Sequence, residues 1–228
     1  MAKKVFIGVG HGGKDPGAVA NGLKEADLNL QIALACQKEL IRHGVIVGIS
    51  RTKNENDDLS EEIRECKAFK PDLAIDIHNN AGGGDGAEVF HSKGYTGDDA
   101  FAKNVLDAIV AIGQNSRGLK TRLLSDGKRD YFGFIRQINE SLKIPSILVE
   151  CAFVDSNDVK IIDTLAEQQK MGIAIAKGIL KTLGITYKPE TQATGKIYRV
   201  QVGAYSVKAN AEAMQKKLKT AGFDSIIV

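Results

Sequence analysis

The chain has 228 residues, 43% hydrophobic and 26% charged, with a formal net charge of +3. That length holds one sizeable domain plus a small appendage, and the composition excludes wholesale disorder and collagen-like structure. Three cysteines (Cys36, Cys66 and Cys151) are odd in number and scattered, so they build no disulfide framework and point to a reducing compartment.

The positive charge is unevenly spread. From Gly184 onward seven Lys/Arg stand against three acids, while the preceding residues carry 24 bases and 25 acids. A basic tail of this size fits a polyanionic partner or plain solvation, and nothing in it calls for nucleic acid. Met1-Ala2-Lys3-Lys4 has the basic start of a signal peptide, but the apolar run after it is broken by Gly8 and ends at a glycine turn. It is too short for an export segment, so synthesis in the cytoplasm without a signal peptide is expected. No stretch reaches the roughly 18 apolar residues of a membrane span, so membrane insertion is not expected.

In chain order, Val5–Val9 predicts a first strand, followed by the turn Gly10-His11-Gly12-Gly13-Lys14-Asp15-Pro16-Gly17-Ala18. Leu28, Ile32, Ala35 and Cys36 recur with helical spacing up to Leu40, and Gly44 stands where a C-cap glycine belongs. Val45–Ile49 predicts a second strand, and Ser60 with Ile63 a helix that stops before Pro71. Leu73–Ile77, Glu88–Phe90 and Ile147–Val149 read as further strands. Phe101, Val105, Ile109 and Ile112 mark a third helix, and Met171, Ile175, Ile179 and Leu183 a last one closed by Gly184. Alternating strands and helices predict an α/β fold: an open, mostly parallel twisted sheet with helices on both faces.

Residues 185–196 contain Pro189 and several Thr and Gln without apolar periodicity, a linker pattern. Residues 197–228 then read as a small β-α-β unit: Ile197–Val202 alternates, Ala209–Ala221 is helical, Gly222 ends the helix and Ser225–Val228 is apolar. So small a unit cannot bury a core of its own, so it must dock on the main domain or pair with a second copy.

Four groups distant in sequence fall at strand ends or just beyond: His11 after the first strand, Glu25 at the first turn of the first helix, His78 after Leu73–Ile77, and Glu150 after Ile147–Val149. In a parallel sheet these converge on one edge, where ligands collect. Two imidazoles and a carboxylate form a catalytic zinc set with a fourth position left open. A further carboxylate, Glu150, is placed to act as general base towards an attacking water.

These residues carry a resemblance. Gly10 to Ala18, then Gly22-Leu23-Lys24-Glu25, then Asp76-Ile77-His78 with Asn80, then Val149-Glu150-Cys151-Ala152-Phe153 are similar to the motifs of the zinc-dependent N-acetylmuramoyl-L-alanine amidases of the type 3 family. The resemblance implies a catalytic domain over residues 1–184 and zinc ligands His11, Glu25 and His78, with Glu150 as the catalytic carboxylate. It implies hydrolysis of the amide joining N-acetylmuramic acid to L-alanine in peptidoglycan, giving cell-wall lysis. Two departures stand out: Gly8-Val9 replaces the Asp-Pro usual before Gly-His, and Asn79 replaces a usual small residue.

Tyr198-Arg199-Val200-Gln201-Val202-Gly203-Ala204-Tyr205 resembles half of a sporulation-related repeat (SPOR) domain, similar to the tandem tail repeats of amidases that lyse the mother-cell wall in spore-forming bacilli. That implies a wall-binding repeat over 197–228. With a single copy present, two chains pairing as a homodimer through their tails is the expectation. The wall is then reached after release, by phage lysis or mother-cell lysis.

Other residues have blander readings. His43 fits a helix C-cap, and His91 ends a strand near the expected edge, where it could meet substrate or water. Asn80 falls in the second histidine motif and is a candidate substrate contact. Arg51 and Arg64 could meet substrate acids, with solvated surface as the default. Strand alternation turns Cys151 to the face opposite Glu150, which argues against a cysteine nucleophile. Gly8 to Lys14 matches the start of a phosphate loop, but Asp15 stands where a hydroxyl is needed. A wall-binding protein without activity and a peptidase acting within the stem peptide are the competing functions.

Overall fold

The structure is a computed structural model and describes residues 2–190, 201–220, 223 and 225–227. It contains two compact units, residues 1–188 and 189–228.

In the first unit the elements run β1 (Lys4–Val9), β2 (Val19–Ala20), β3 (Leu23–Lys24), α1 (Glu25–Arg42), β4 (Ile46–Ile49), α2 (Leu59–Phe69), β5 (Leu73–Asn80), β6 (Ala87–Phe90), α3 (Asp99–Val110), β7 (Ser116–Lys120), α4 (Gly133–Leu142), β8 (Ser146–Phe153), a 3-10 turn (Asn157–Ile161) and α5 (Leu165–Thr182). Six strands form one sheet in the order β4-β1-β5-β8-β6-β7. Its pairings are parallel except between β6 and β8. The expected mostly parallel α/β fold is therefore present.

Alternation along the strands divides the side chains between two faces. On one, Val5, Ile7, Val9, Ile75, Ile77, Val89, Ile147, Val149 and Cys151 pack with residues of α1, α3 and α5 into the large core. On the other, Phe6 and Ala74 join Ile63 and Cys66 of α2 and Phe134 and Ile138 of α4 in a smaller core. The local signals explain the helices. Asp58 caps α2 by accepting from the Ser60 and Glu61 amides, and left-handed Lys70 ends it before Pro71. Thr164 and Glu167 form a capping box at α5.

The sequence pattern missed β7 and α4. β7 (Ser-Arg-Gly-Leu-Lys) is an edge strand with exposed polar residues, so it lacks an apolar run. α4 starts without a side-chain cap, and its apolar stripe is short. The body also runs past Gly184: Ile185 and Tyr187 pack on the large core, and the Lys188 amide donates to His43 Nε2 at 2.9 Å. The expected linker thus begins on the body.

In the second unit α6 (Lys208–Thr220) matches the expected helix. The strand expected at 197–202 falls largely outside the described residues, and residues 201–202 and 225–227 carry no strand.

Candidate active site

β1 delivers the chain to Gly10, after which His11 takes a left-handed backbone (φ 63°) that a non-glycine residue adopts only at a cost. Buried groups hold it there. The Arg51 guanidinium donates to the carbonyls of Val9 (3.1 Å), Gly10 (3.2 Å) and Ala26 (2.8 Å), and Asn29 Nδ2 also donates to the Gly10 carbonyl at 2.9 Å. Arg51 is 2% exposed, so the surface role expected for it is wrong. A guanidinium has donors enough to bind several carbonyls at once, and this one clamps the end of β1 to the start of α1.

The clamp aims His11 at Glu25. Asp15 Oδ2 lies 2.8 Å from His11 Nδ1, leaving Nε2 at 3.2 Å from Glu25 Oε2. His78 presents Nδ1 to Glu25 Oε1 at 3.0 Å and Nε2 to Asp76 Oδ2 at 3.2 Å. The two rings stand edge-on with centroids 5.2 Å apart. One ligand atom each from His11, Glu25 and His78 lies within 4.8 Å of the others. Glu25 is buried and further fixed by the amides of Ala18 (3.0 Å) and Asn79 (3.1 Å).

Electrostatics agree with a cation at this point. Hydrogen bonding to Glu25 raises the pKa of His11 against the opposing pull of burial. Burial pushes His78 down, but Asp76, Glu25 and Glu150 outweigh it and hold its pKa well above the ordinary value. Glu25, despite burial, is held well below the usual carboxylate range by the two imidazoles. A cluster that draws protons onto both rings is one whose negative charge asks for a positive ion, and the imidazole–carboxylate donor set suits zinc.

Glu150 is the next group along the sheet. It is the register partner of His78 on β5 and of Glu88 on β6, so all three side chains share a face about 4.8 Å apart per strand. Its Oε2 is buried and has no hydrogen-bond partner. Burial raises its pKa to about 7; His78 opposes this, while Glu25, Asp76 and Glu88 add to it.

Both departures from the family pattern have a cause here. A Cβ at Gly8 would meet Glu62 Oε1 at 1.7 Å and Asp76 Oδ1 at 2.9 Å, so the Glu62 carboxyl of α2 fills the place of the usual Asp side chain. Burial first, and then the neighbouring Asp76, raise Glu62 well above its ordinary pKa. Asn79 is buried, and its Nδ2 donates to Asn29 Oδ1 at 2.8 Å, tying β5 to the residue that supports Gly10.

The remaining expected residues lie elsewhere. Arg64 is exposed on α2 and pairs with Glu61; Glu62, two residues earlier, is the side chain of that helix that reaches the cluster. His91 faces Asp99 at 3.0 Å, at the start of α3 on the sheet's other face. Asn80 Oδ1 accepts from the Ala81 amide at 2.8 Å. His43 caps α1 through Nδ1, 2.9 Å from the Glu39 carbonyl. Cys151 is buried in the large core, away from Glu150. Asp15, Asp76 and Glu62 were given no site role from sequence, although Asp76, two residues before His78 on one strand, must share its face.

A cation site beside an unpartnered carboxylate is the equipment of a metal-dependent hydrolase. The chain belongs to the N-acetylmuramoyl-L-alanine amidase family, whose profile matches residues 5–181; a SPOR domain profile matches residues 175–228. It is 32% identical to the sporulation-specific N-acetylmuramoyl-L-alanine amidase of Bacillus subtilis (strain 168), over 99% of this chain and 84% of the relative. It is 30% identical to the endolysin of Bacillus phage SPP1, over 89% of this chain and 77% of the relative. Among solved structures, the N-acetylmuramoyl-L-alanine amidase AmiC2 of Nostoc punctiforme superposes with a TM-score of 0.69 at 29% identity, over 80% of this chain and 97% of that one. The protein is an N-acetylmuramoyl-L-alanine amidase: it hydrolyses the amide between N-acetylmuramic acid and L-alanine in peptidoglycan.

Proposed function

We propose that His11, Glu25 and His78 hold a zinc ion and that Glu150 moves the protons of the reaction. The observation that carries this is the convergence of three ligand atoms within 4.8 Å beside a buried, unpartnered carboxylate oxygen. Bound zinc supplies positive charge that polarises the scissile carbonyl and acidifies water. Asp15 and Asp76 fix the tautomers and orientations of the two imidazoles. Glu150 Oε2, free to accept, takes the proton of the attacking water and passes it to the leaving amide nitrogen, which departs only when protonated. Incubating purified wall with the protein, with and without chelator, and weighing the fragments by mass spectrometry tests this. Released stem peptides with a free L-alanine amine, lost on chelation and on His11→Ala together with the metal, are expected. Cleavage within the stem, or binding without cleavage, refutes the assignment.

We further assign residues 1–188 to the catalytic body, 189–196 to a linker shorter than the 185–196 expected from sequence, and 197–228 to wall binding, supported by the two compact units and the SPOR match over 175–228. α6 has no buried residue, and Val202, Tyr205, Val207, Phe223, Ile226 and Ile227 are exposed. A unit so poor in core gains most by pairing with a second copy, so the chain forms a homodimer through this unit. Light scattering that finds a monomer, unchanged on truncation after Thr186, refutes it. Among the described residues no helix is long and apolar enough to cross a membrane. The endolysin and the sporulation-specific amidase among its relatives support an enzyme that reaches the wall after release, by phage lysis or mother-cell lysis.

A further inference from the structure

The two flanks of the site carry opposite charge. On the side of β4, residues 51–65 hold six acids against three bases, and this segment adjoins the His11 turn through Asn54 and Asn56, whose Oδ1 atoms accept from the Gly13 and Lys14 amides at 2.8 and 2.9 Å. On the side of β7, residues 116–136 hold six bases against two acids.

The basic flank reaches the reacting face through the sheet register. Glu88 is opposite Glu150, and Arg117 pairs with Glu88. Lys120 is the register partner of Phe90, and its Nζ lies 3.9 Å from Glu88 Oε1. Phe90 shares this face, because it packs on Phe132 at the start of α4 with centroids 4.6 Å apart. The Arg117 and Lys120 side chains each remain 38% exposed, while Glu88 is buried at 8%. Two cations thus serve one buried carboxylate, leaving one positive charge in excess. The Lys120 ammonium reaches back along β6 to Glu88, whose strand is the next one to that of Glu150, about 4.8 Å across the sheet.

We propose that Arg117 and Lys120 form a carboxylate subsite that receives the stem peptide on the side of β7, recognising the free carboxylate of the residue that follows L-alanine. The proposal rests on the amidase reading and on Glu150 marking the scissile bond. Two residues span at most about 7 Å of chain, so from a scissile bond held at Glu150 a carboxylate on the second residue reaches the neighbourhood of Glu88 and of the Lys120 ammonium beside it. The acidic flank repels the same group, so the peptide has one favourable direction.

The test compares N-acetylmuramoyl-L-alanyl-D-isoglutamate with its counterpart in which that carboxylate is amidated. Wild-type enzyme should show a KM about 5- to 10-fold lower for the free acid, as expected of a half-exposed charged hydrogen bond. Lys120→Gln should bring the ratio close to one, Lys120→Glu should invert it, and Lys53→Gln on the opposite flank should leave it unchanged. Equal KM values in the wild type, or an undiminished preference in Lys120→Gln, overturn the subsite while the amidase reading stands. Hydrolysis of neither compound at the lactyl amide overturns both.

Discussion

The two faces of the sheet are built from the same strands and do opposite work. Along β5, Leu73, Ile75 and Ile77 turn to α1, α3 and α5, while Ala74, Asp76 and His78 turn to the other side. Along β8, Ile147, Val149 and Cys151 alternate in the same way with Leu148 and Glu150. The first face is apolar along its strands up to Asn79, whose side chain bonds Asn29 of α1. The other is apolar only near the amino ends of the strands, and towards their carboxyl ends it carries Asp76, His78, Glu150 and Glu88. Apolar burial stabilises at about 25 cal/mol per Å², whereas carboxylates brought together out of water cost stability and shift their pKa values. The three-helix face supplies the stability that the reacting face gives up.

The largest break in this comparison is Glu150→Gln. It keeps shape and removes the only group given proton transfer, so turnover should fall by about 10³-fold, within the range for acid–base groups. Zinc content and fold should be retained, because Glu150 is not among the proposed ligands. The same change relieves repulsion from Glu25, Asp76 and Glu88, so the variant should unfold at the same or higher denaturant concentration above pH 7. A variant that keeps most of its activity, or loses its metal, refutes the separation of roles.

The opposite outcome is expected from Ile175→Ala on the other face. Ile175 is fully buried in the large core, and truncation should cost about 2–5 kcal/mol in denaturant unfolding with kcat of the folded protein unchanged. Gly8→Ala lies between the two cases. Its methyl would overlap the Glu62 carboxyl, an overpacking that should cost about 1–3 kcal/mol and disturb Asp76 behind His78. Glu62→Ala in the same chain should restore stability; if it does not, the close approach of Glu62 to Gly8 is not what requires glycine there.

How much of this was legible in the sequence follows from the same asymmetry. The apolar strands announced themselves by runs of Val and Ile, and His11, Glu25, His78 and Glu150 by their places at strand ends. What stayed hidden was contact between distant segments. Arg51 reads as an ordinary surface base, and only the fold brings the carbonyls of Val9, Gly10 and Ala26 to it. Glu62 looks like one acid among several on α2, and its burial depends on glycine at position 8 of another element. β7 escaped because an edge strand needs no apolar alternation, and with it went Arg117 and Lys120.

The smallest effect is the most specific, because it depends on pH. An ordinary glutamate titrates near 4.5; burial raises Glu150 to about 7. Acting as base, it must have lost its proton, so kcat/KM should rise with pH, about tenfold per unit below the pKa, and level off above it. Bound zinc, being positive, moves that midpoint downward. Stability has the opposite sign. Because the folded pKa is raised, the folded state holds more protons than the unfolded chain between about 4.5 and 7, so the unfolding free energy falls as pH rises through that window. Denaturant titrations of chelated protein at pH 5 and pH 8 should show this loss, less of it in Glu150→Gln, and all of it in Ile175→Ala superimposed on a uniformly lower curve. If Glu150→Gln keeps the full pH slope, the titrating group lies elsewhere on the reacting face and Glu150 is not the strained carboxylate of this site.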